Sequence, residues 1–102
     1  MHSLFLGTNG SVACVDPATG EIRWQVELKG GGFVSSTSKQ DVSVLLCGTI
    51  VFAGCAGHLF CLDANSGTIL WHNPLTGFGH NDISLAMEGV SVQFLQKTER
   101  QS

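Results

Sequence analysis

Charge is scarce in this sequence: Asp, Glu, Lys and Arg make up only 13% of its 102 residues. The five basic residues are scattered, and the net charge is 5 − 8 = −3. That leaves no concentrated positive surface of the kind that nucleic acid or an anionic lipid face requires. Strong helix formers are few as well. Lys, Arg and Glu total 9 against 13 Gly, a profile that suits short strands and turns. A membrane helix needs about 20 unbroken apolar residues. The uncharged stretch between Asp41 and Asp63 is interrupted by Gly48, Gly54, Gly57 and His58, so no membrane insertion is expected. The first ten residues carry no basic segment, and their apolar run is too short for a signal peptide, which makes a cytoplasmic location the expectation.

Catalytic and metal-binding signatures are also missing. Cys14, Cys47, Cys55 and Cys61 form no C-x-x-C pair, the turn-spaced arrangement that zinc favours. They are expected to be free thiols, mostly buried as small hydrophobes, with a disulfide or a metal site as the alternatives. Ser11-Val12-Ala13-Cys14 resembles a lipoprotein cleavage box, but Cys14 has a better explanation in the repeat described below. There is no G-x-S-x-G nucleophile elbow. Gly30-Gly31-Gly32 is followed by no Gly-Lys-Ser/Thr, so it is not a phosphate loop. His2, His58, His72 and His80 show no ligand spacing, and His58 and His72 are expected to face solvent because the repeat exchanges them with Ser11 and Gln25.

What is present is a repeat. Residues 5–28 align with residues 52–75 at an offset of 47 without a gap, giving nine identities in 24 positions. These are Phe5/Phe52, Gly7/Gly54, Gly10/Gly57, Cys14/Cys61, Asp16/Asp63, Gly20/Gly67, Ile22/Ile69, Trp24/Trp71 and Leu28/Leu75. Residues 41–54 align with 82–95 at an offset of 41, with Asp41/Asp82, Val42/Ile83, Ser43/Ser84, Gly48/Gly89 and Val51/Val92 in register. The six-residue difference falls in the linker 29–40, whose Gly and Ser content predicts a mobile loop.

Short apolar runs bounded by turn residues predict strands over about 3–7, 11–16, 21–27, 42–46, 50–54, 58–63, 68–73, 82–87 and 90–95. Asp16-Pro17-Ala18-Thr19-Gly20 and Asp63-Ala64-Asn65-Ser66-Gly67 read as hairpin turns, opened by an Asp carboxylate and closed by a left-handed Gly. Four antiparallel strands in 41 to 47 residues is the size of a propeller blade. The predicted fold class is therefore all-β: two and a fraction four-stranded antiparallel blades of a partial β-propeller in one domain, 1–102. A partial blade of strands B, C and D spans 3–28 and a complete blade 41–75. Extra strands A and B cover 82–95, and 96–102 is a polar tail.

The pattern C-x-D-x-x-x-G-x-x-x-W, at Cys14, Asp16, Gly20 and Trp24 and again at Cys61, Asp63, Gly67 and Trp71, resembles the tryptophan-docking motif of the PQQ-repeat (quinoprotein alcohol dehydrogenase-like) propeller family. This chain has Cys where that family usually has Ala. The similarity extends over about residues 3–95 and is strongest to short stand-alone bacterial members. It implies that Trp24 and Trp71 wedge between blades and that the Asp-to-Gly turns support them. Quinoprotein dehydrogenases of the family use a complete eight-bladed ring, a calcium ion and often adjacent cysteines. This sequence has neither adjacent cysteines nor an acidic cluster able to give calcium six oxygen ligands, so neither PQQ nor calcium is expected.

The function expected is a non-catalytic module for protein binding or self-assembly, because a blade has two apolar faces that neighbours must cover. Its partner is protein, foremost a second copy, with strand 82–87 of one chain supplying the missing A strand to the first blade of another. Two alternatives stand beside this. One is a quinone-like or small-ligand site formed only in an assembled ring, lined by the linkers 29–40 and 77–82 with Gly31, Phe33, Ser35, Phe78, His80 and Asp82 as candidate residues. The other is a fragment of a longer propeller.

Overall fold

The computed structural model of the chain describes residues 2–29 and 40–89. Two antiparallel sheets make up the fold. The first blade joins β1 (Leu4–Thr8), β2 (Ser11–Val15) and β3 (Ile22–Glu27) in the order β1-β2-β3. The second blade joins β4 (Val42–Cys47), β5 (Ile50–Cys55), β6 (His58–Asp63) and β7 (Ile69–Asn73) in the order β4-β5-β6-β7. No described helix is long and apolar enough to cross a membrane.

Local sequence explains the hairpins. Asn9 and Gly10 both take positive φ, 51° and 69°, which is the backbone of a tight two-residue turn matching strand twist. Ala56-Gly57 repeats this turn at φ 51° and 82°. In each Asp-to-Gly turn the Asp carboxylate accepts from the backbone two residues on. Ala18 N donates to Asp16 Oδ1 at 2.8 Å, and Asn65 N to Asp63 Oδ1 at 2.8 Å.

Each blade carries a register shift at the same repeat position, between Cys14 and Val15 and between Cys61 and Leu62. Cys14 faces Trp24 while Val15 faces Ile22, so Arg23 is the extra residue of the bulge, and Leu70 is its counterpart. Residues two apart in a regular strand share a face. The bulge breaks that rule and lets Trp24 align with Cys14 while Ile22 aligns with Val15, which belongs to the opposite face.

The core lies between the two sheets. Val12 and Leu28 meet Val51, Ala53, Cys55, Phe60 and Leu62, all fully buried, with Trp24 and Val26 packed against them. Burial of this kind contributes about 1.5–3 kcal/mol for each large side chain. β4 lies next to β1, and its first residue explains a mid-strand glycine. A Cβ on Gly7 would stand 2.8 Å from Val42 Cβ, so only Gly admits this approach.

Among the described residues the strand expected at 82–87 carries no ladder pairing. Its hairpin partner in the sequence reading, 90–95, lies outside the described residues. Segment 82–87 nevertheless occupies the place of an A strand. A Cβ on Gly54 would stand 2.7 Å from Ile83 Cβ, the contact that Gly7 makes with Val42, and Ser43 Oγ donates to the Ile83 carbonyl. The linker 30–39 and the tail 96–102 also fall outside the described residues.

Candidate functional site: the blade-to-blade interface

Beside the core, the contact between the blades sets one side chain on one turn. Phe5, Cys14 and Trp24 stand in line across β1, β2 and β3. Phe5 packs against the indole in a tilted arrangement, with ring centroids 6.0 Å apart at 47°. Trp24 reaches over the Asp63–Gly67 turn and donates from Nε1 to the Ala64 carbonyl at 3.0 Å. Its six-membered ring covers Gly67, whose φ is +81°. A Cβ there would lie 2.6 Å from Trp24 Cε3, so the glycine is required twice over, by conformation and by space. Cys14 is buried behind the indole.

The second blade presents the same donor. Phe52, Cys61 and Trp71 are aligned as their counterparts are, and Phe52 props Trp71 at 6.2 Å and 50°. Cys61 is buried, and burial raises its thiol pKa. Trp71 was expected to be a wedge like Trp24, but it is 45% exposed. Trp24 has the Asp63–Gly67 turn to cover, and among the described residues no Asp-x-x-x-Gly turn follows Trp71.

The first blade presents the matching acceptor. Gly20 has the same φ as Gly67, +81°, and a Cβ on it would have nothing within 4 Å. Gly20 N donates to the Asp16 carbonyl at 2.6 Å, as Gly67 N does to Asp63 at 2.8 Å. Arg23 lies 3.6 Å from Asp16 and donates to Ser3 Oγ at 2.6 Å, which ties the turn to the residue just ahead of β1. Among the described residues one donor and one acceptor are thus joined inside the chain, and one of each is left over at opposite ends.

Three histidines gather on the other side of the second blade. His58 is only 7% exposed, and its Nδ1 lies 3.3 Å from His72 Nε2. His72 stacks on Phe60 at 4.7 Å, and His80 stands 6.4 Å from His58, ring to ring. Burial lowers the pKa of both His58 and His72, and the neighbouring His72 and His80 lower that of His58 further. The expectation that His58 and His72 face solvent is therefore corrected. They share the face of the second blade with Cys55 and Phe60, which the first blade covers, whereas the counterparts Ser11 and Gln25 lie on a face that no described blade covers. Among the described residues no group of three or more His, Cys, Asp or Glu is arranged to hold a metal ion.

The remaining candidates scatter. Gly31, Phe33 and Ser35 lie outside the described residues. Phe78 and Asp82 are exposed, and Asp82 helps burial to push the Cys55 thiol up to about 11. His80 is exposed and joins the histidine group, next to Gly79, whose carbonyl packs on Gly57. None of the four cysteines is joined in a disulfide. The sequence reading missed the Gly54–Ile83 contact, although a mid-strand glycine recurring at 7 and 54 was a usable signal for a close approach.

Two blades with a Trp-on-turn contact define the chain as a β-propeller repeat protein of the PQQ type. It belongs to the family described as outer membrane protein assembly factor BamB, whose profile matches residues 8–101. The crystal structure of BamB from Moraxella catarrhalis is similar over 70% of this chain, with a TM-score of 0.54 and 29% identity. The match spans 20% of that protein, so this chain corresponds to about a fifth of it. No curated protein matches the chain.

Proposed function

We propose that the chain is a non-catalytic protein-binding module, with proteins engaged in outer-membrane protein assembly as the setting that its family points to. One observation carries this reading. Leu4, Leu6 and Ile22 of the first blade are 48%, 40% and 56% exposed, while their repeat counterparts Val51 and Ala53 are fully buried and Ile69 packs against the core. The same face is covered in one blade and open in the other. An apolar face shaped to receive a blade is a protein-docking surface.

The reading is tested by placing a photo-crosslinking amino acid at Leu6 and irradiating cells that express the chain. Covalent adducts with protein are the expected result, identified by mass spectrometry as a second copy or as components of outer-membrane assembly. A folded chain that gives no protein adduct contradicts it.

A further inference from the structure

We infer that the partner for these open faces is a second copy of this chain, bound head to tail with Trp71 of one copy on the Asp16–Gly20 turn of the next. The inference rests on the protein-binding reading and names its partner. Its template is the interface already formed between the two blades, which the proposed contact continues.

Each half of the template is present and preformed. The Phe52–Trp71 pair reproduces the Phe5–Trp24 pair within 0.2 Å and 3°, so the free indole is held in the attitude of the docked one. Gly20 and Gly67 share φ +81°, and the space over Gly20 that a docked indole would fill is open. The repeat offset places the Pro17 carbonyl where the Ala64 carbonyl accepts from Trp24. Pro17 has no N–H to satisfy, whereas Ala64 N donates to the Thr49 carbonyl in the β4–β5 hairpin, which has no counterpart in the first blade among the described residues.

The backbone agrees with the side chains. Ile83 lies on Gly54 as Val42 lies on Gly7, so segment 82–87 is set as the A strand of whatever blade comes next. Among the described residues the first blade has three strands and none in the A position. The next copy's first blade therefore receives the indole on its turn, the segment along β1, and cover for Leu4, Leu6 and Ile22. Donor and acceptor sit at opposite ends of the chain. The contact is heterologous, and it closes as a ring or grows as a filament.

The experiment weighs four samples by native mass spectrometry at micromolar concentration: the wild-type chain, Trp71→Ala, Gly20→Asn, and an equimolar mixture of the two variants. Asn tolerates positive φ, so Gly20→Asn keeps the turn and fills the docking space. The wild-type chain is expected as an oligomer and each variant alone as a monomer. Removal of a central Trp weakens association at least about 30-fold, a hot-spot loss converted at tenfold per 1.4 kcal/mol. The mixture is expected to give a 1:1 pair and nothing larger, because Trp71→Ala keeps a good turn and Gly20→Asn keeps a good indole. A symmetric dimer that does not set Trp71 on the Asp16–Gly20 turn of the other copy produces no such rescue. Leu6→Arg replaces Gly20→Asn if circular dichroism shows the latter unfolded. A wild-type monomer, an oligomer insensitive to Trp71→Ala, or a mixture that stays monomeric overturns the inference. Should the Leu6 probe then capture a different protein, the protein-binding reading stands with another partner.

Discussion

The indole of Trp24 covers Gly67 so closely that a methyl group on that glycine would lie 2.6 Å from Cε3. Gly20 has the same backbone and an open surface, and the pair of glycines separates the effect of docking from that of conformation. Gly20→Ala is expected to cost about 1–2 kcal/mol in urea unfolding, the strain of a left-handed Ala alone. Gly67→Ala carries that strain and about 1–3 kcal/mol more for overpacking against Trp24. Equal losses at the two sites contradict the docked geometry.

The two tryptophans are expected to differ in the dissociated chain. Trp24→Ala removes a ring that packs on the core and a hydrogen bond to Ala64, and the expected loss is about 3–5 kcal/mol. Trp71→Ala, at a half-exposed site, is expected to cost under about 1 kcal/mol in the same assay. Urea titrations at concentrations where the wild-type chain is monomeric give both values.

Stability is expected to fall on mild acidification. The ordinary His pKa is 6.5, and that of His58 and His72 is lower in the folded chain. As pH falls through about 6.5 the unfolded chain binds protons that the folded chain does not, so unfolding becomes easier until the folded-state pKa is passed. The urea midpoint is expected to be lower at about pH 5 than at about pH 7.5. His58→Ser, which installs the counterpart residue of the first blade, should flatten that difference. A midpoint independent of pH in the wild-type chain contradicts the buried-histidine account.

Thiol reactivity offers a further check. Cys55 is fully buried, with its pKa pushed up to about 11 by burial and by the charges of Asp82 and Asp41. The thiolate is the reactive form. Alkylation of the native chain near neutral pH is expected to reach half-buried Cys47 first and to leave Cys55 unmodified, as read by peptide mass spectrometry. Rapid labelling of Cys55 in the folded chain would contradict this packing.

Much of the fold was legible because the repeat encodes it. Phe5/Phe52, Gly20/Gly67 and Trp24/Trp71 are local in sequence, and the turns they mark depend on φ preferences and Asp side-chain bonds that no distant contact needs to supply. What escaped was decided by neighbours. Trp24 and Trp71 have the same local sequence pattern, yet Trp24 packs on the Asp63–Gly67 turn and Trp71 is 45% exposed, with no such turn following it among the described residues. His58 was expected to face solvent and is buried beside His72 and His80. Segment 82–87 reads as a strand, but a ladder takes two strands, and segment 82–87 pairs with none among the described residues.

The most direct test of the central claim follows the two indoles separately in the wild-type chain. Fluorine NMR of protein labelled with 5-fluorotryptophan gives one resonance for each tryptophan, assigned with Trp24→Phe and Trp71→Phe. Raising the concentration through the assembly range is predicted to shift and broaden the Trp71 resonance and to leave Trp24, already docked within its own chain, unmoved. A Trp71 resonance that stays at its solvent-exposed position at every concentration contradicts the head-to-tail contact.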